Sequence, residues 1–146
     1  MEVSAALLGT GPTRGPGAIA AVVARLAGGV VFVVFGLGKF VNRASEVDSF
    51  RDYGLPAPEA FVAVIGVIEL VGGLLLILGL ATRPAALVLA ADMVGAIVVS
   101  GIALGEPISL TLAPAELLLC LFLLWKGPGA YALDHRISGS RTRAPG

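Results

Sequence analysis

The chain has 146 residues, 57% of them hydrophobic and 14% charged, with ten basic and ten acidic residues, no net charge and a mean hydropathy of +0.95. A soluble domain carries about 25% charged residues, so this apolar excess calls for a lipid solvent, while the balanced charge offers no basic footprint for nucleic acid and the length allows one domain. A single cysteine, Cys120, and a single histidine, His135, exclude an intrachain disulfide, a thiol-pair quinone reductase, a bis-histidine haem and an iron–sulfur cluster held by this chain alone.

Residues 1–17 are rich in Gly, Pro and Thr and lack both a basic n-region and a small-residue cleavage site, which predicts a disordered cytoplasmic tail. From Ala18 to Gly38 only Arg25 interrupts an apolar run long enough to cross a hydrocarbon core of roughly 30 Å, and this is the first span, an uncleaved anchor. The following stretch is polar. Asn42 or Ser45 can cap a short interfacial helix there, ended near Tyr53 by Gly54. Leu55-Pro56-Ala57-Pro58 forces extended backbone, and residues 60–81, apolar apart from Glu69, form the second span.

Thr82-Arg83-Pro84 leaves room for a tight turn before the third span, residues 85–104, which contains Asp92. Gly105-Glu106-Pro107 turns into the fourth span, residues 108–125, with Pro114 and Glu116 inside it and a kink expected at the proline. The fold class is therefore all-α: an integral membrane four-helix bundle over residues 18–126 with a short interfacial helix between spans one and two. A flexible cytoplasmic tail is expected over 127–146. Arg14, Arg83, Lys126, Arg136, Arg141 and Arg143 fall on the side of the termini, against Lys39, Arg43 and Arg51 on the other. That imbalance predicts a multi-pass plasma-membrane protein with both termini in the cytoplasm.

Each span carries one ionisable residue, Arg25, Glu69, Asp92 or Glu116, at a cost of about 3 kcal/mol each unless they face one another or water. Residues three and four apart share a helix face, so Arg25 lies with Gly28 and Gly29, Glu69 with Gly72 and Gly73, and Asp92 with Gly95 and Ala96. Small residues mark close-packed faces, which points these charges into the bundle as one polar cluster. One guanidinium cannot neutralise three carboxylates, so the cluster is expected to be protonatable. Lys39 and Arg83 end the first two spans as interfacial basic residues. Cys120 reads as core filler. The three carboxylates lack the histidines of di-iron bundles, so no metal site is expected. The small-residue pairs Ala91/Gly95 and Gly101/Gly105 suit packing within one copy or between copies of a homo-oligomer.

Arg25-Leu26 followed by Gly29, Phe32, Gly36 and Lys39, then Gly54-Leu55-Pro56, then Glu69-Leu70-Val71-Gly72-Gly73-Leu74-Leu75 and Gly79-Leu80-Ala81-Thr82-Arg83, resembles the DoxX family of small bacterial membrane proteins over residues 22–134. The resemblance implies a four-helix membrane protein. It also implies association with oxidoreductase assemblies that detoxify oxidants alongside a superoxide dismutase and a sulfurtransferase, and, through the related DoxD proteins, with thiosulfate:quinone oxidoreductase chemistry. Arg25, Lys39, Glu69, Thr82 and Arg83 carry over residue by residue. The resulting expectation is a membrane component of an oxidoreductase or oxidative-stress assembly, more a non-catalytic subunit than a self-sufficient enzyme. Arg25, Glu69, Asp92 and Glu116 would bind a quinone or a small anion, with no cofactor held covalently. Two readings remain open beside it: a proton-coupled small-solute carrier and a purely structural membrane assembly factor.

Overall fold

Three prolines open three of the long helices, where a missing N–H costs nothing and a fixed φ already suits the helix. In the computed structural model, which describes residues 14–135, α1 runs Pro16–Val41, α2 Arg43–Asp52, α3 Pro58–Leu78, α4 Thr82–Ala96 and α5 Pro107–Lys126. Beyond Ala96, α4 widens into a π-helical turn over Ile97–Ile102, a feature that hydrophobic periodicity did not announce. The described residues contain no strand, and four helices, with α4 counted through Ile102, are long and apolar enough to cross a membrane. Side chains such as Ile19, Val30, Val67 and Leu118 face outward, as lipid-facing positions do. The expected tail through residue 13 and the chain from residue 136 onward lie outside the described residues.

The helix order follows from glycine. A methyl group added at Gly73 would lie 2.7 Å from the carbonyl oxygen of Gly29, and one at Gly29 would lie 2.9 Å from that of Gly73. Gly36 meets Gly66 and Leu70 about two turns further along α1, so α1 and α3 run antiparallel with backbones nearly touching. Gly28 receives Glu116 and Leu119 of α5, and Gly72 receives Leu89 of α4. The two Gly-Gly pairs therefore hold α1 to α3 and α5, and α3 to α1 and α4. Phe32, Leu76, Leu89, Cys120 and Leu123 fill the core between them.

The third small-residue face behaves differently. Nothing lies within 4 Å of a methyl group placed at Gly95, so the face shared by Asp92, Gly95 and Ala96 is not a packing seam; it is the wall of a cavity.

The segment after α5 also departs from the sequence reading of a flexible tail beginning at residue 127. Gly127, Pro128, Gly129, Ala132 and Asp134 are buried, and the chain turns back beneath the α3–α4 connection. Gly79 (φ 65) takes left-handed backbone freely, but Ala81 (φ 48) adopts it against its Cβ, so the connection is strained there and needs support. Asp134 supplies it: its Oδ1 accepts from the Ala81 N–H at 2.7 Å, its Oδ2 from the Thr82 N–H at 3.0 Å, and its own N–H donates to the Gly79 carbonyl at 2.9 Å. A carboxylate on the free N–H groups of a helix N-terminus is an N-cap delivered from more than fifty residues away. His135 Nε2 closes the turn against the Gly129 carbonyl at 2.7 Å.

Candidate functional site

Two polar centres occupy opposite ends of the bundle, and the sequence-predicted residues divide between them. At the end carrying the chain termini, Arg25 is 3% exposed and its Nη1 donates to the Pro128 carbonyl at 2.9 Å. The guanidinium lies under Gly79, where a methyl group would come within 2.7 Å of Cζ, and within electrostatic reach of Asp134. Arg83 sits half-buried in the first turn of α4. The single cluster joining Arg25 to Glu69, Asp92 and Glu116 therefore does not form. Glu69 is paired instead with Lys39, and fourteen residues of α1 separate Lys39 from Arg25 by about 21 Å along the helix, while the returning C-terminal segment gives Arg25 nearer acceptors.

The other centre lies inside the bundle toward α2. A cavity of about 740 Å³ is bounded by α1, α3, α4, the π-helical turn, α5 and the residues around α2. Its walls are mainly apolar, with Phe35, Phe50 and Phe61 among them, and its polar groups are few. Lys39 Nζ lies 2.7 Å from Glu69 Oε2, with side chains 10% and 6% exposed. Asp92 is near enough to both to feel their charge. Glu116, 6% exposed, reaches the same space beside Gly28. Asp92 Oδ2 and Glu116 Oε2 are buried and receive no hydrogen bond. Among the predicted candidates, then, Glu69, Asp92 and Glu116 meet around one cavity and Arg25 and Arg83 do not. Lys39, read as an interfacial cation, is 8% exposed and belongs to the site. The signal was present in the sequence: Gly29, Phe32, Gly36 and Lys39 recur at helical spacing, which puts the lysine on the packing face.

Sequence reading missed the hydroxyl groups that line the α2 end of this cavity. Glu106 caps α5 by accepting from the Ser109 N–H at 3.0 Å, and it also accepts from the Ser109 hydroxyl. Ser109 Oγ is 2.6 Å from Ser100 Oγ on the π-helical turn, and Ser100 Oγ also lies 2.9 Å from the Ala96 carbonyl, with Tyr53 on the same wall. Burial, with the neighbouring carboxylates of Glu106 and Glu46, raises the Tyr53 phenol above its ordinary value, against the opposing effect of hydrogen bonds from Ser100 and Ser49. The ring of Phe50 lies 5.4 Å from that of Tyr53. Only the spacing of Glu106 to Ser109, that of a helix cap, was legible beforehand.

A functional site of this shape can hold an amphipathic molecule by its apolar body and exchange protons at two carboxyl groups. The DoxX family profile matches residues 20–101. The "Uncharacterized membrane protein Rv3486" of Mycobacterium tuberculosis is 39% identical over 132 residues, covering 81% of each chain. The "Putative oxidoreductase CatD" of Bacillus subtilis is 39% identical over 80 residues, covering 55% of this chain and 58% of that one, and the "Inner membrane protein YphA" of Escherichia coli is 29% identical over 127 residues, covering 79% and 88%. No solved structure matches significantly.

Proposed function

The chain belongs to the DoxX family, and on that premise we propose that it is a quinone-binding membrane subunit of a bacterial oxidoreductase or oxidative-stress assembly. The observation that carries this reading is the cavity itself: about 740 Å³ of mainly apolar space with an ion pair and two unpartnered carboxyl groups on its wall. That volume is within the range of about 300–1,000 Å³ typical of small-molecule sites. The name carried by CatD supports the redox setting.

The residues fit such a group. A bound quinone would supply two-electron, two-proton redox chemistry. Phe35, Phe50 and Phe61 offer apolar surface to a ring and its tail. Asp92 Oδ2 and Glu116 Oε2 hold or release protons at atoms that nothing else in the protein engages. Lys39 and Glu69 keep a fixed charge pair beside Asp92. The small-anion alternative loses its guanidinium, because Arg25 serves the opposite end of the bundle. By the basic-residue imbalance the termini lie in the cytoplasm of a plasma membrane, and the α2 end faces outward. The family resemblance supplies the expected partners within the assembly, a superoxide dismutase or a sulfurtransferase.

Native mass spectrometry of the protein extracted into nanodiscs tests the reading. Quinone is expected to co-purify near stoichiometrically, and to be lost from Gly95→Leu, which adds bulk to the cavity wall where no atom stands within 4 Å. Bare protein after incubation with excess quinone refutes it. A proton-coupled carrier rests on the same carboxyl groups and gains support from the π-helical turn, since such turns often occur at functional sites in helices. Quinone-independent solute uptake into proteoliposomes, abolished by Asp92→Asn, would select that alternative.

A further inference from the structure

The cavity is closed at one end and open at the other. Toward the chain termini, Leu76, Leu89, Cys120 and Leu123 are each 0% exposed and pack into one apolar core, about one to two turns beyond Glu69, Asp92 and Glu116 along their own helices. Methyl groups at Gly28 and Gly72 would lie 2.7 Å from Leu119 and 2.9 Å from Leu89, so the helices touch at this end. A close-packed apolar layer offers a proton neither water nor a carboxyl group. Further toward the termini, the Pro128 carbonyl accepts from Arg25 and closes the bundle. Toward α2 the helices part: a methyl group at Gly95, about one turn beyond Asp92, meets nothing within 4 Å.

The open end is lined by polar side chains. Glu46, Ser49, Tyr53, Glu106 and Ser109 belong to the wall there, and Glu46 and Glu106 are half-buried, at the boundary with solvent. Glu46 acts electrostatically on Glu69, and Glu69 on Asp92, so carboxyl groups succeed one another from the mouth inward. Among the described residues that line the cavity, Lys39 is the one cation against five carboxyl groups, and acidic walls raise the local concentration of cations, protons included. Other exposed lining residues, Phe61 and Val88 among them, are apolar and front the lipid, which exchanges no protons. We propose that the carboxyl groups of Asp92 and Glu116 exchange protons with water at the α2 end alone, through the mouth lined by Glu46 and Glu106. A proton that a bound molecule gives up or takes then leaves or enters on that side whatever the molecule is, so the inference goes beyond the quinone reading.

Sided thiol labelling tests this. Gly95→Cys, Asp92→Cys and Glu116→Cys are each made in the full chain, whose own Cys120 is 0% exposed and serves as the unreactive background. Asp48→Cys, on the exposed side of α2, and Arg14→Cys, exposed just before α1, report which membrane face the reagent meets. Spheroplasts and inside-out vesicles are treated with a membrane-impermeant quaternary-ammonium methanethiosulfonate, and the remaining thiols are counted by mass after denaturation. A thiol withheld from water stays protonated and unreactive, so the cavity positions are expected to be blocked about tenfold or more faster in the preparation that blocks Asp48→Cys than in the one that blocks Arg14→Cys. Faster blocking from the Arg14 face overturns the inference. Equal blocking from both faces, the behaviour of an alternating carrier, overturns it as well, and so does the absence of blocking from either. Gly95→Cys retains every ionisable residue and decides the matter even where Asp92→Cys or Glu116→Cys fails to fold. Quinone co-purification is read in the native protein, so the two readings fail separately.

Discussion

Replacing Lys39 by methionine keeps an unbranched side chain, one atom shorter, and removes the ammonium from Glu69. At 2.7 Å the attraction between the two charges is about 6 kcal/mol in an effective dielectric of about 20, and burial of both ions offsets most of it. The pair as a whole is therefore worth little, but breaking it is expensive. Lys39→Met leaves Glu69, 5% exposed, facing Asp92 with no cation between them, and is expected to destabilise by about 3–5 kcal/mol. Glu69→Leu is expected to cost less, because Lys39 retains Asp92 as a neighbour. The double variant removes both members and is expected to recover most of the loss, giving a coupling energy of about 2–3 kcal/mol. Unfolding in dodecyl maltoside, followed by helical circular dichroism for the four proteins, measures this cycle. Additive losses in the double variant would show that the two side chains do not depend on each other and would refute the paired geometry.

Gly73→Ala places a methyl group 2.7 Å from the Gly29 carbonyl and 2.9 Å from the Val33 nitrogen, so it is expected to cost about 1–3 kcal/mol, whereas Gly38→Ala meets nothing within 4 Å and should stabilise α1 by about 0.5–1 kcal/mol; the same unfolding assay reads both. Asp134→Ala removes the acceptor for the Ala81 and Thr82 N–H groups and is expected to lower stability by about 1–2 kcal/mol and to open residues 127–135 to protease, while an unchanged melting temperature would contradict the distant cap. The Tyr53 phenol should ionise above its usual value of about 10, because burial foremost and then Glu106 and Glu46 oppose the phenolate. Its protonated form is thus favoured by folding, a contribution complete below about pH 10 and lost as pH rises through the folded value. Glu106→Gln should bring the ultraviolet titration of Tyr53 downward, and no movement would exclude that carboxylate as a cause.

The arrangement that emerges gives the two ends of the bundle different tasks. Arg25, Gly79, Asp134 and Pro128 close one end with hydrogen bonds internal to the fold, while Lys39, Glu69, Asp92 and Glu116 stand around open space toward the other. Within the reading proposed here, the first centre fixes the scaffold and the second handles ligand and protons. Replacements at Arg25 should accordingly report on assembly, and replacements at Asp92 or Glu116 on binding.

By itself the sequence determined that this is a four-helix membrane protein and which residues must be shielded from lipid. Those properties are local: runs of apolar residues set the spans, prolines and glycines set their ends, and an ionisable side chain in a span declares its cost wherever its partners lie. Glycines three and four residues from Arg25 and Glu69 marked two packing faces for the same reason, since the absence of a side chain is visible in one dimension. The tertiary structure decided which charge meets which. Lys39 reaches Glu69 because α1 and α3 run antiparallel with Gly29 against Gly73, a register no single helix contains. Arg25 turns to Pro128 because the chain after α5 folds back, and Gly95 opens onto a cavity because no neighbouring helix approaches it. An ion pair and an empty space are both relations between segments distant in the chain, so spacing along the sequence could name their members without assigning the partners.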